Sequence, residues 1–401
     1  MAVFSRIPGL LIYLSGRSAP RSRSSHRFPI FLLLAVILLP GCSRLRVQHS
    51  EYVYVWSRQM FLRDRVAAVS NRVAEVKNGQ RLLVLSHDRR FLHVKTDQGQ
   101  IGWIPERAVI DQQIYDGFIR LATQQKDAPV VATATLRDDF YAHISPGRDT
   151  DRFYLFLENA KVQMLLRASV PKDQAPRIAP PPKPATTPEK AKSSPKTKLS
   201  APAPQPPPEP VAMEDWWLVR NKDGHVGWLL ASRMDVDAPN DVAQYAEGQR
   251  IVGSYVLTHV RDEDPSISNH DVPEYVMALA PYKWGLPYDF DQIRVFTWNV
   301  KRHRYETAFR MRNIQGYLPV TVSSQPASTG GTEPVFTFQI STSAAISIDP
   351  DTGIAKPVSP RTISFALRQT VVRRTGPDQA PIPSIKSANE KPRPAAKSRR
   401  R

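Results

Sequence analysis

Gly99-Gln100-Ile101-Gly102-Trp103-Ile104 returns later in the chain as Gly224-His225-Val226-Gly227-Trp228-Leu229, one Gly-x-aliphatic-Gly-Trp-aliphatic pattern written twice. Each copy follows a short apolar run, Phe91-Leu92-His93-Val94 in the first case and Trp216-Trp217-Leu218-Val219 in the second. Upstream the echo extends to Leu62-Arg63-Asp64 and Leu136-Arg137-Asp138. Around the first copy the punctuation is that of short strands. Val76 closes one, Asn78-Gly79 turns the chain because both residues tolerate positive φ, Leu82 to Leu85 open another, and Asp97-Gln98-Gly99 turns it again. Turns at a spacing of about 8–12 residues predict a small barrel, in which pairing around the sheet limits exposed edges. Gly102 and Gly227 are expected to let backbones approach closely beside an indole that fills the barrel.

Leu62-Arg63-Asp64, Val76-Lys77-Asn78-Gly79-Gln80, Phe91-Leu92-His93-Val94 and the Gly-x-Ile-Gly-Trp-Ile ending together resemble a bacterial SH3 domain (SH3b) over residues 51–111. A second, degenerate copy spans 129–238. It departs from the pattern between Tyr141 and Val170 and carries the proline-rich segment 171–210 in a strand-connecting loop. The resemblance implies a non-catalytic targeting module of a kind that often recognises cell-wall peptide or glycan. Tyr52, Tyr54, Trp56 and Trp103 are the candidate ligand-binding aromatics, since flat rings supply contact area at small entropy cost. The competing role is core, and it is the favoured one for Trp103 and Trp228. Tyr52 and Tyr54 alternate with Val53 and Val55, so one set is expected to face outward.

Residues 240–375 read as longer strands. Gln292 to Trp298 and Tyr305 to Met311 form a hairpin through Asn299-Val300-Lys301-Arg302. Simple alternation places Tyr305, Thr307, Phe309 and Met311 on one face and Arg304, Glu306, Ala308, Arg310 and Arg312 on the other. That arginine stripe suits a solvated face with cross-strand charge pairs better than an acidic polymer. Further strands are expected at 250–260, 274–280, 317–322, 334–341 and 361–373. The fold class is therefore all-β: one or two small SH3-like barrels, then a C-terminal antiparallel sandwich or barrel-like domain.

Ahead of the repeat, Arg17, Arg21, Arg23 and Arg27 precede an apolar run from Ile30 to Leu39, closed by Leu39-Pro40-Gly41-Cys42. Basic, then apolar, then small residue is the order of a secretory leader, here 1–41. The run is short for a bilayer span, which needs about 20 apolar residues. Leu-x-Gly-Cys resembles the lipobox of bacterial lipoproteins, which implies cleavage before Cys42, lipid (palmitate among the acyl groups) on its thiol and a membrane-anchored envelope protein. Ser43 rather than an aspartate after the cysteine implies the periplasmic face of the outer membrane in a two-membrane cell. Cys42 is the single cysteine, so no intramolecular disulfide forms.

The net charge of +18 looks like a nucleic-acid signature until it is located. The leader carries +5, segment 171–210 +4 and the tail 376–401 +5, leaving about +4 for the folded remainder. Segment 171–210 and the tail are too poor in large apolar residues to offset the entropy of ordering, so a spacer and a disordered basic tail are expected, and no nucleic-acid partner.

No Gly-x-Ser-x-Gly elbow, phosphate-binding glycine loop or His-Glu-x-x-His occurs. SH3-linked papain-like peptidases need a spare cysteine and zinc amidases need clustered histidines, and neither is present. His259 and His270 beside Asp262, Glu263 and Asp264 make a poor metal site, and Asp349-Pro350-Asp351-Thr352-Gly353 reads as a turn rather than a calcium loop. No cofactor is expected. The reading is a non-catalytic envelope protein that binds peptidoglycan or an envelope partner. A structural subunit of an envelope assembly and a cell-wall hydrolase in 240–375 are the alternatives.

Overall fold

A computed structural model describes residues 50–172, 211–267, 270–327, 330–343 and 345–384. Cys42, the leader, most of the proline-rich segment and residues 385–401 lie outside them. The chain is all-β, as the strand patterns predict, but its sheets are open.

The first sheet contains β1 (Tyr52–Val55), β2 (Gln59–Arg63), β3 (Arg72–Lys77), β4 (Arg81–Asp88), β5 (Phe91–Thr96), β6 (Ile101–Pro105) and β7 (Val109–Asp111). Its order is β3-β2-β6-β5-β4-β1-β7, with two free ends. The helix α1 (Gln112–Gln124) follows directly, capped by Asp111, whose carboxylate accepts from the Ile114 N–H at 2.8 Å. The second sheet contains β8 (Ala132–Leu136), β9 (Phe140–His143), β10 (Arg152–Phe156), β11 (Lys161–Pro171), β12 (Met213–Arg220), β13 (Val226–Leu230) and β14 (Met234–Val236). Its order, β10-β9-β13-β12-β11-β8-β14, is that of the first sheet strand for strand. The expected barrels are thus two open, curled sheets, because neither β3 nor β10 pairs back onto β7 or β14.

The likeness extends to single hydrogen bonds. Gly79 N–H donates to Val55 O at 2.8 Å and Asn159 N–H to Leu136 O at 2.9 Å; Val55 N–H donates to Gln80 O at 3.0 Å and Leu136 N–H to Ala160 O at 3.1 Å. Asn159 takes the positive φ (60°) that Gly79 takes in the first sheet (87°). The turn that the second copy lacks in sequence is therefore Glu158-Asn159, asparagine being the residue other than glycine that tolerates this conformation best. In the Asn78-Gly79 turn of the first copy it is Gly79, not Asn78, that has positive φ. The equivalent glycines meet equivalent neighbours. A Cβ on Gly102 would lie 2.9 Å from Leu62 Cβ, and one on Gly227 would lie 2.6 Å from Ala142 Cβ. The proline-rich insertion leaves at Lys172 and returns by Ala212, whose carbonyl accepts from the Lys172 N–H at 2.7 Å.

After the short helix α2 (Asn240–Ala243) comes a two-sheet sandwich. One sheet is the meander β15 (Arg250–Arg261), β16 (Asp271–Ala280), β17 (Gln292–Asn299) and β18 (Arg304–Met311). The other uses β19 (Gly316–Pro326), β20 (Thr332–Ser341), β23 (Pro360–Arg368) and β24 (Val371–Thr375), with the small hairpin β21 (Ser347–Ile348) and β22 (Ala355–Lys356) between β20 and β23. Val276, Ile293 and Val295 from the first sheet and Phe336, Phe338 and Phe365 from the second share one core. The strand expected over 361–373 is two, broken where Gln369 adopts φ 56°. Asp349-Gly353 is a turn, its Asp349 carboxylate accepting from the N–H groups of Asp351 and Thr352 at 3.0 Å each.

Residues 376–384, read from composition as disordered tail, continue the fold. Asp378 receives the Arg361 guanidinium and Ile382 packs on the sandwich core. Among the described residues no helix is long and apolar enough to cross a membrane.

Candidate functional site

Three of the four candidate aromatics do not form an open groove. Tyr54 is buried, stacked on Tyr115 of α1 at 3.7 Å between centroids and edge-on to Phe153, and its hydroxyl donates to Gln112 Oε1 at 2.9 Å. Trp56 donates to the Arg107 carbonyl and packs against Tyr141 of the second sheet. Tyr52 is half-buried under the Arg81 guanidinium. The alternation read into β1 fails because both faces are covered, Val53 and Val55 by the first sheet's own core and Tyr54 by α1 and the second sheet. Trp103 is the exception in the other direction. It is half-exposed on the outside of the sheet, stacked on His93 at 4.6 Å, rather than in the core. Its counterpart Trp228 is buried, because α1 lends Leu121 and Ala122 to cover that face of the second sheet.

The open aromatic surface lies elsewhere, on the segment Pro281-Tyr282-Lys283-Trp284-Gly285-Leu286-Pro287-Tyr288 between β16 and β17. Tyr282 is 72% exposed and Trp284 36%. A long connection with four aromatics between two well-marked strands is a signal that the sequence carried and that the repeat overshadowed. The strap is held by Arg250 of β15 at its start and by β11 and β12 of the second sheet from Gly285 onward. Arg250 Nε and a terminal nitrogen each reach a carbonyl at 3.2 Å, those of Pro281 and Lys283, and its guanidinium lies 4.2 Å from the Trp284 centroid. Asp215 on β12 accepts the Gly285 N–H at 2.9 Å, and a Cβ on Gly285 would meet Met213 at 2.5 Å, so glycine is required there both for φ (75°) and for space. Arg167 donates to the Leu286 and Tyr288 carbonyls at 2.8 and 2.7 Å and to Asp289 at 2.8 Å.

Arg167 and Asp215 are buried side by side at 3.1 Å, with Ser169 Oγ donating to the carboxylate. Burial pushes the Arg167 pKa down, but Asp215 and Asp289 more than offset it and leave it raised. Burial dominates at Arg250 and lowers its pKa. These charges are spent on fixing the strap. Two cavities share Trp284 and Ser232 as lining: one of about 300 Å³ reaching Arg137, Asp235 and Tyr282, and one of about 250 Å³ bounded by Glu214 and by the two residues flanking the insertion, Lys172 and Ala212. Pre-positioned rings beside polar edges can stack on a flat or ring-shaped ligand and hydrogen-bond its rim.

Beside the acidic stretch, His270 Nδ1 lies 2.9 Å from the Asp262 carbonyl oxygen, while His259 is exposed, 4.0 Å from Asp271. Asp262, 2% exposed, accepts from Trp298 Nε1 at 2.7 Å and pairs with His303 Nδ1 at 2.9 Å, and these contacts hold its pKa below the usual carboxylate range, the indole N–H first. Among the described residues no group of three or more His, Cys, Asp or Glu is placed to hold a metal ion.

No family model matches the sequence, and no curated protein does. Among solved structures, NlpC2 of Trichomonas vaginalis aligns with 66% of this chain and 98% of its own at 8% identity and a TM-score of 0.14. NlpC1 of the same organism aligns with 65% of this chain and 88% of its own at 8% identity and a TM-score of 0.15. Scores this low show no common architecture and lend nothing to the functional reading.

Proposed function

We propose that this chain is a lipid-anchored, non-catalytic envelope protein that binds peptidoglycan through the Trp284 cleft. The observation that carries the reading is a strap with two open rings, Tyr282 and Trp284, held rigidly over polar cavities by buried ion pairs. Rigid aromatic anchors are what a glycan or short wall peptide needs for affinity without large ordering costs. The Leu-Pro-Gly-Cys42 leader end supports an acylated Cys42 and an envelope location, and the doubled strand order supports the SH3-like relationship of the two sheets.

The test uses the mature chain with Cys42→Ser and purified, protein-free peptidoglycan. The parent sediments with the wall, and Trp284→Ala lowers that binding by about tenfold or more while near-UV circular dichroism stays native. Trp103→Ala leaves it unchanged. Binding lost in Trp103→Ala but kept in Trp284→Ala would move the surface to the first sheet, and a parent that stays in the supernatant would overturn wall binding altogether. Acylation is checked separately, by mass spectrometry of membrane-extracted protein with Cys42→Ser as the control.

A further inference from the structure

The β2–β3 connection of the first sheet presents an apolar tip that nothing in the fold covers. Residues 64–69, Asp64-Arg65-Val66-Ala67-Ala68-Val69, are all exposed, with Val69 at 85%. An uncovered Val-Ala-Ala-Val run would ordinarily fold back on the sheet to bury itself. Here a clasp at the base prevents this. Asp64 N–H donates to Asn71 O at 3.1 Å, and the Asp64 carboxylate accepts the Asn71 N–H at 2.9 Å and Nδ2 at 3.0 Å. Arg63 also donates to Ser70 O at 3.2 Å. The loop therefore projects as a fixed knuckle. Arg65 and Arg72 flank it, both exposed, Arg65 Nε 3.6 Å from the Asp64 carboxylate and the Arg72 guanidinium 4.2 Å from the Phe61 ring centroid.

We propose that this knuckle is a membrane-contacting loop, in which Val66 and Val69 enter the interface of an anionic phospholipid surface while Arg65 and Arg72 meet its phosphates. A short apolar tip with a cationic collar matches the layering of such an interface, where apolar side chains reach the acyl boundary and guanidiniums stay at the headgroups. The geometry rests on the acylation reading in one respect only. If Cys42 carries lipid, the eight residues 43–50 span at most about 25–30 Å, which confines the first sheet to the membrane surface.

The experiment uses the mature chain with Cys42→Ser, so that no acyl group contributes and failure of the acylation reading leaves the result intact. A single thiol from Val69→Cys carries an environment-sensitive fluorophore, and Gln98→Cys, in the exposed β5–β6 turn, serves as the control position. Vesicles of phosphatidylcholine are compared with vesicles containing roughly a third phosphatidylglycerol, close to a natural anionic leaflet. The label at 69 shifts to the blue on anionic vesicles and the label at 98 does not. Arg65→Gln with Arg72→Gln raises the lipid concentration needed by roughly 25-fold, at about fivefold per arginine. A label at 69 that stays in water, or one that responds no differently from position 98, overturns the proposal. So does a blue shift that grows with protein concentration in the absence of vesicles, which would assign the tip to self-association.

Discussion

Arg167 shows how much rests on single side chains that composition cannot single out. It lies in a run, Leu165-Leu166-Arg167-Ala168, that reads as plain strand, yet it reaches across to three carbonyl and carboxylate groups of the C-terminal sandwich. Arg167→Met leaves Arg250, at 3.6 Å, as the one cationic partner of buried Asp215, and should cost about 3–5 kcal/mol in a urea titration, the range for breaking one side of a buried pair. A loss under about 1 kcal/mol would mean that water replaces the guanidinium there. Asp378 makes the opposite kind of claim. Arg361, by direct hydrogen bonding, holds its pKa down to about 2, well under the ordinary aspartate value. Since the folded pKa is the lower one, its stabilisation is present above about pH 4 and disappears as pH falls toward 2. The midpoint difference between the parent and Asp378→Asn should therefore be present at pH 6 and vanish near pH 2, and a difference independent of pH would remove the ion pair as its cause. Tyr54 and Trp56 illustrate why residue roles stayed illegible. A Tyr-Val-Tyr-Val strand has the same sequence whether one face or both are covered, and here the second cover comes from residues far downstream.

At the scale of elements, the misread features are those that break a period. Alternation along β18 assumes an unbroken pleat, but between Val295 and Phe296 the register slips by one residue, pairing Phe309 with the first and Thr307 with the second. The extra residue exchanges the faces. Tyr305 goes to the cluster with Tyr275 and Val242, while Phe309 and Met311 go to the sandwich core, and the arginine stripe is split. Arg310 consequently stands directly opposite Arg294, a fully buried guanidinium. Like charges paired across strands are destabilising, and Glu247 answers both, at 2.7 Å to Arg310 and 2.9 Å to Arg294, with Arg312 at 3.6 Å. Glu247→Gln should lower stability by about 1–3 kcal/mol and make the variant more stable as salt is raised, because the unbalanced arginines are then screened. A variant indifferent to salt would show that the arginines have found other partners. The helix α1 was legible in principle. Asp111 as cap and the spacing of Ile114, Tyr115, Phe118, Leu121 and Ala122 make an amphipathic face, which the nearby strand punctuation obscured.

For the whole molecule, the repeat motif made the two sheets legible as copies, but it said nothing of how tightly copies fuse. The ties are two polar side chains, Arg58 paired with Asp139 and Asn78, backed by a shared core. Asn78 Nδ2 donates to Trp56 O at 2.7 Å and Phe153 O at 3.0 Å, while its Oδ1 accepts the Leu155 N–H at 3.0 Å, so the turn that looked like mere punctuation is sewn to β10. Beside it Tyr54, Phe118 and Phe153 form one cluster drawn from both sheets and the helix. Sheets joined in this way should open together rather than separately. In hydrogen exchange, core amides of the first sheet such as Val94 and of the second such as Val219 should share one opening free energy. Asn78→Ala removes these hydrogen bonds and a longer one to Val55 O at 3.5 Å, and strands backbone groups of Phe153 and Leu155, so it should speed exchange at Val94 by about tenfold or more, equivalent to about 1.4 kcal/mol. Amides of the sandwich such as Val295, whose core contains no residue of the first sheet, should keep the parent's rate. Acceleration everywhere at once would make residues 50–384 a single cooperative unit held by the Arg167 network as firmly as by any core. No acceleration at Val94 would show that the aromatic cluster and the Arg58–Asp139 pair fuse the sheets without Asn78.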